Sequence, residues 1–116
     1  MNSDRERLRR LQEMASLVMD ARSQTLRQAN AARDQLLFQL AALEAGQPEE
    51  GLPWPAPEMA RFGYEQWAAG RRAEINLRLA TQTAICHQAA GETRTAFGRK
   101  QVLEKISATR SRRQLS

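Results

Sequence analysis

Apolar positions recur every three or four residues from the start of the chain. The stripe reads Leu8, Leu11, Ala15, Val18, Ala21, Thr25, Ala29, Ala32, Leu36, Leu40 and Leu43. Ten steps cover 35 residues, a mean spacing of 3.5, which is the period of a coiled-coil seam rather than the 3.6 of a straight helix. The pattern predicts a first helix over 4–45. Ser3 and Glu6 have the spacing of a capping box at its start. Gly46 stands where a C′ glycine would close it, with Pro48 just beyond. Met14, Leu17, Met19, Leu26, Leu37 and Phe38 fall beside or off the stripe, either as flanks of the seam or as surface for a partner.

All four prolines (Pro48, Pro53, Pro55 and Pro57) lie in the stretch 46–57. A proline inside a helix removes a hydrogen bond and clashes with the preceding turn, so helix is forbidden there. The flanks, rich in Ala, Arg, Gln, Glu and Leu, favour it. The fold class that follows is all-α: two long helices folded into an antiparallel coiled-coil hairpin, the second longer, with the bend at 46–57. Leu52 and Trp54 in the bend either fold down over the end of the seam or stand out as an anchor for a partner.

The second helix is predicted over 58–109, with Pro57 suited to its first position and Glu58 to its positive dipole end. Gly63, Gly70, Gly91 and Gly98 fall on one heptad phase, with Leu77 and Ala84 in the slots between. Glycine costs about 1 kcal/mol in a helix interior, so four on one phase ask for a reason. With Ala69, Ala73, Ala80, Thr83 and Ala90 they make a flat face, suited to close approach by the first helix or by another protein's helix. Phe62 and Phe97 are each followed by a member of the glycine set and are 35 residues apart, placed to close both ends of a slender seam. Leu103 and Ile106 give the last apolar turn, and the basic tail 110–116 is expected to fray.

Composition narrows the class. The chain of 116 residues is one domain in length and 41% apolar, but only 5% aromatic, too little bulk for a thick globular core. No apolar run is long enough to span a membrane or to serve as a signal peptide, and a single cysteine suits the cytosol, so the expectation is a cytoplasmic protein. Net charge is +5. It is distributed unevenly: Glu44 to Glu65 holds five acids and one base, whereas Arg94 to Ser116 holds seven bases and one acid, and Arg5, Arg7, Arg9 and Arg10 add to them at the other terminus. A hairpin would bring these termini together, basic at the open end and acidic at the bend.

Catalytic chemistry finds no constellation. Cys86 and His87 are adjacent, point about 100° apart on a helix, and have no second Cys or His to complete a metal site. His87 reads as a half-buried helix residue. The glycines are seven apart rather than clustered as in a phosphate-cradling loop. The reading is a non-enzyme with no cofactor, no metal and no small-molecule substrate. Nucleic acid is the alternative that the arginines raise, but few aromatics are present to stack bases and no reading motif occurs.

The layout also resembles a known family. A short, Arg- and Gln-rich antiparallel pair with a longer second helix, and the stretch Ala96-Phe97-Gly98-Arg99-Lys100 with Val102-Leu103 following, is similar to the stalk proteins of the flagellar type III export apparatus, the FliJ family, and their YscO-type relatives in virulence secretion. The resemblance implies a coiled coil whose paired terminal ends enter the export ATPase hexamer and which links it to the export gate and to export chaperones, peripheral at the inner membrane when assembled. On that reading Arg5, Arg7, Arg9, Arg10, Arg94, Arg99, Lys100, Arg110, Arg112 and Arg113 are the ATPase-facing residues, and Leu52 and Trp54 belong to the opposite, bend end. A generic coiled-coil adaptor or chaperone of another assembly is the alternative within the same class.

Overall fold

A computed structural model describes residues 2–46 and 60–115. Two helices, α1 (Asn2–Glu44) and α2 (Ala60–Leu115), account for almost all of them, and no strand occurs among the described residues. They pair antiparallel as a helical hairpin, α2 being the longer with 56 residues against 43. Pro57, Glu58, Leu52 and Trp54 lie outside the described residues.

The helix ends differ from expectation in two places and agree in one. Ser3 is already inside α1 and is therefore not its cap, and Glu6 pairs with Arg10 at 3.5 Å. The tail expected to fray continues α2 as far as Leu115. Arg and Gln are good helix formers, and Arg112 and Arg113 in the last turn complement the negative end of the helix dipole. Gly46 closes α1 as anticipated. Its φ of +76° is the left-handed conformation that glycine adopts without strain, and its N–H donates to the Leu43 carbonyl at 3.1 Å.

The residues divide into two compact units. One, Ala29–Cys86, joins the second part of α1 to the first part of α2. Its centre is Ile75, with no exposed surface, packed with Leu43 (2% exposed) and Ala68. Leu36, Leu40, Tyr64 and Trp67 surround them. The Tyr64 hydroxyl donates to the Leu43 carbonyl at 3.1 Å, and its ring lies 5.8 Å from that of Trp67 in a tilted pair. Further along, the Gln82 amide donates to the carbonyl of buried Ala29 at 3.1 Å.

The other unit joins α1 up to Gln28 to α2 from His87 onward. Its buried residues are small, Ala89 and Ala96. The Thr93 hydroxyl sits 2.8 Å from the Ala89 carbonyl and 3.2 Å from the Arg22 carbonyl of the facing helix. Arg22 pairs with Glu92 at 3.2 Å and Arg110 with Asp4 at 3.9 Å, which fixes the antiparallel register of this unit.

The seam follows seven of the eleven stripe residues: Leu8, Ala15, Ala29, Ala32, Leu36, Leu40 and Leu43 are buried or half-buried, and Arg22 takes the slot between Ala15 and Ala29. In the first part of α1 the alternating positions lie four residues beyond this line rather than three. Gln12, Met19, Leu26 and Arg33 are half-buried, whereas Leu11 (50% exposed), Val18 (44%), Ala21 and Thr25 are exposed. Thr93 bonded to the Arg22 carbonyl sets a register that puts Met19 level with buried Ala96 and Leu26 level with buried Ala89, which pairs long side chains with short ones. Met14, Leu17, Leu37 and Phe38 are exposed, as surface rather than flank.

On α2 the glycine phase is not the contact face. A Cβ at Gly70 or Gly98 would meet nothing within 4 Å, and at Gly91 it would meet only the Arg94 guanidinium at 3.9 Å. Gly70, Gly91 and Gly98 each fall two residues after a buried alanine (Ala68, Ala89, Ala96), about 200° round the helix from it; Gly70 is exposed and Gly91 and Gly98 are half-buried. The idea that these three glycines admit α1 at short distance is therefore corrected, since no α1 atom lies within 4 Å of any of the three Cβ positions; Gly63 on the same phase is likewise half-buried. Phe62 and Phe97 do not close the seam either: both are exposed, Phe97 because it follows buried Ala96 and is turned about 100° from it. His87 is exposed, not half-buried, while neighbouring Cys86 is buried.

Candidate functional site

Charge separates by unit. The unit containing the chain's terminal arms, residues up to Gln28 and from His87, holds thirteen Lys and Arg against six Asp and Glu, a formal +7. The Ala29–Cys86 unit holds five against seven, a formal −2, and the two recover the chain's +5. The candidate site is therefore the first, terminal unit.

Its basic side chains are surface groups. Arg5, Arg7, Arg9, Arg10, Arg94, Arg99, Arg110, Arg112 and Arg113 are all exposed, and Lys100 is half-buried beside the seam. Three of their ion pairs are peripheral: Arg9 to Glu13 at 3.9 Å, Arg10 to Glu6 at 3.5 Å and Arg110 to Asp4 at 3.9 Å. Exposed pairs of this kind contribute about 0–1 kcal/mol and are readily exchanged for a partner's carboxylates. An acidic ligand can therefore compete for these arginines at little cost.

Three shallow grooves organise them. Arg5, Arg9 and Arg110 converge on the first, of about 370 Å³, beside Gln12, Ser107 and Ser111. Arg110 also lines a second with Lys105 and Arg113, floored by Val102 and Ile106. Arg99 lines a third with Val18 and the Arg22–Glu92 pair. Arg7, Arg10 and Arg112 line none of these three grooves, and Arg94 instead reaches over Gly91. Sequence reasoning brought the terminal arginines to one end but passed over Arg22 and Lys105. The signal for Arg22 was present: it continues the heptad line of Leu8 and Ala15 toward Ala29.

Among the described residues no group of His, Cys, Asp and Glu is arranged to hold a metal ion, and no helix is long and apolar enough to cross a membrane. The expected bend-end site at Leu52 and Trp54 lies outside the described residues. No family model, curated protein or solved structure matches this chain.

Proposed function

We propose that this chain is a non-enzymatic coupling protein: a helical hairpin whose basic terminal unit docks into an acidic partner assembly while the rest of the chain reaches other components. The observation that supports it is the +7 terminal unit, in which exposed arginines from both ends of the chain are gathered and Arg5, Arg9 and Arg110 share one groove. The resemblance to the FliJ family gives the assembly a name: the bacterial flagellar type III export apparatus. The terminal unit then enters the export ATPase hexamer, the protein links that ring to the export gate or to export chaperones, and it works in the cytoplasm, peripheral at the inner membrane. Long-range attraction from the basic unit would govern encounter rate and orientation more than final affinity.

The test is stimulation of the purified hexameric export ATPase by the purified chain. Charge reversal at Arg110, Arg112 and Arg113 should abolish stimulation while far-UV circular dichroism stays unchanged. Persistence of full stimulation in that variant sinks terminal insertion. The same +7 favours one second reading, a nucleic-acid-binding hairpin. That reading requires retention on heparin or nucleic acid that weakens steeply with salt, and absence of retention at moderate salt removes it.

A further inference from the structure

We propose that one side of the terminal unit is a docking groove for a single acidic, amphipathic helix of a partner protein. The side is defined by Leu11 and Val18 of α1 and by Val102 and Ile106 of α2. All four are substantially exposed: Leu11 by 50%, Val18 by 44%, Val102 by 55% and Ile106 by 44%.

Their placement on one side follows from three observations. Val18 shares a groove with Arg99 of the facing helix. Leu11 lies seven residues before Val18 and so on the same face of α1, while Arg99, Val102 and Ile106 are spaced by three and four and so share one stripe of α2. The register set by Asp4 against Arg110 and Arg22 against Glu92 is antiparallel, so moving along α1 from Val18 to Leu11 moves along α2 from Arg99 toward Ile106. Two apolar rows thus run side by side along the α1–α2 groove, at the spacing a third helix would present to a bundle.

The rim decides the occupant. Arg99 and Lys105 flank the α2 row, and the unit as a whole carries a formal +7. A helix lying in this groove meets apolar side chains along its centre and, apart from Glu92, which Arg22 already pairs, cations along its edge, so its own sequence must read apolar at i, i+3, i+4 and i+7 with Glu or Asp beside them. A second copy of the same surface would bring +7 against +7, and a two-fold interface requires that self-match. Charge therefore selects a heterologous acidic helix over self-association. The inference goes beyond the coupling reading and does not depend on it, because it specifies a lateral groove and can be examined without any ATPase.

The experiment uses the full chain and a fluorescein-labelled synthetic peptide of about three heptads, with Leu at a and d and Glu at e and g. Fluorescence anisotropy at about 0.15 M salt should show saturable binding of one peptide per chain. Val102→Gln together with Ile106→Gln should weaken it about tenfold or more, since both lost side chains would be buried by the peptide. Phe38→Gln, in the other unit, should leave it unchanged. The substituted positions are exposed, and far-UV circular dichroism verifies that both variants remain folded. The proposal is overturned by absence of saturable binding, by equal binding to the Val102→Gln/Ile106→Gln chain, or by equal binding of a peptide carrying Lys in place of Glu. It is overturned equally if sedimentation shows the free chain to be a dimer that the Val102→Gln/Ile106→Gln variant dissociates, since the occupant would then be a second copy.

Discussion

Ile75→Ala is the sharpest test of how the Ala29–Cys86 unit is held together. Ile75 has no exposed surface and sits with Leu43 and Ala68, ringed by Leu36, Leu40, Tyr64 and Trp67. The substitution removes three carbons. At about 0.8 kcal/mol per buried methylene the transfer loss alone is about 2.4 kcal/mol. A cavity adds to this, and Ile→Ala changes in cores span about 2–5 kcal/mol. The cluster here is drawn from only two helices, and partly buried Tyr64 and Trp67 have room to settle into the gap, so the expected loss is about 2.5–3.5 kcal/mol. Chains of this size have roughly 6–17 kcal/mol of stability, so such a loss is a large and readable fraction. Leu77→Ala is the matched control. Leu77 lies two residues away on the same helix but is 73% exposed, and should lose about 0.5 kcal/mol or less. Urea denaturation followed by far-UV circular dichroism would compare the two, with m-values checked for constancy so that midpoints convert to free energies. Equal losses for Ile75→Ala and Leu77→Ala, or a larger loss at Leu77, would refute the register of α2.

Gly70→Ala and Gly98→Ala should each stabilise the chain by about 0.5–1 kcal/mol, because the new methyl meets nothing within 4 Å and the helix gains propensity; a fall in Tm for either would restore the close-approach reading. Gly46→Ala should cost about 1–2 kcal/mol through its left-handed backbone, measured by the same denaturation, and a neutral result would mean that α1 ends differently in solution. A double-mutant cycle on Arg22 and Glu92 should give a coupling below about 1 kcal/mol that shrinks with salt, since both side chains are more than a third exposed; a larger, salt-insensitive value would show that the pair is shielded from water.

Much of this fold is readable from residue types, and the failures share one cause. Proline forbids helix whatever surrounds it, so the four prolines of 46–57 separate two helical sequences without any knowledge of packing, and the helices are Asn2–Glu44 and Ala60–Leu115. Charge is likewise independent of side-chain direction, and the basic terminal end follows once the helices fold back. The seam is different, because it is chosen by shape as much as by polarity. On α2 the inward line passes through half-buried Arg71, Gln82, Thr93, Lys100 and Ser107, which no apolar pattern would select. Their stems or short side chains fill the groove while polar ends reach water or a carbonyl, as Gln82 does with Ala29. The regular spacing of the glycines therefore stood out as the apparent contact face, although a Cβ there meets no atom of α1.

The misread part of the α1 stripe carries its own information. Leu11 and Val18 were assigned to the seam because they are apolar at the right spacing, and the helix instead uses Gln12 and Met19 beside them. The first part of α1 therefore has more apolar periodicity than one neighbouring helix can cover. A strict two-helix seam needs a row at a and d, whereas a helix touching two neighbours needs a third row beside it. Leu11 and Val18 supply that row, and Val102 and Ile106 match it on the facing helix. In the Ala29–Cys86 unit the corresponding α1 positions are Ala32 and Gln39, and Ala32 is half-buried. On this one row the large exposed residues are confined to the basic unit, where they coincide with positive charge, although the other unit exposes Leu37, Phe38 and Leu77 elsewhere. A solvated hairpin gains nothing from large aliphatic side chains there, so their place is better explained by a third, acidic helix than by the stability of the pair itself.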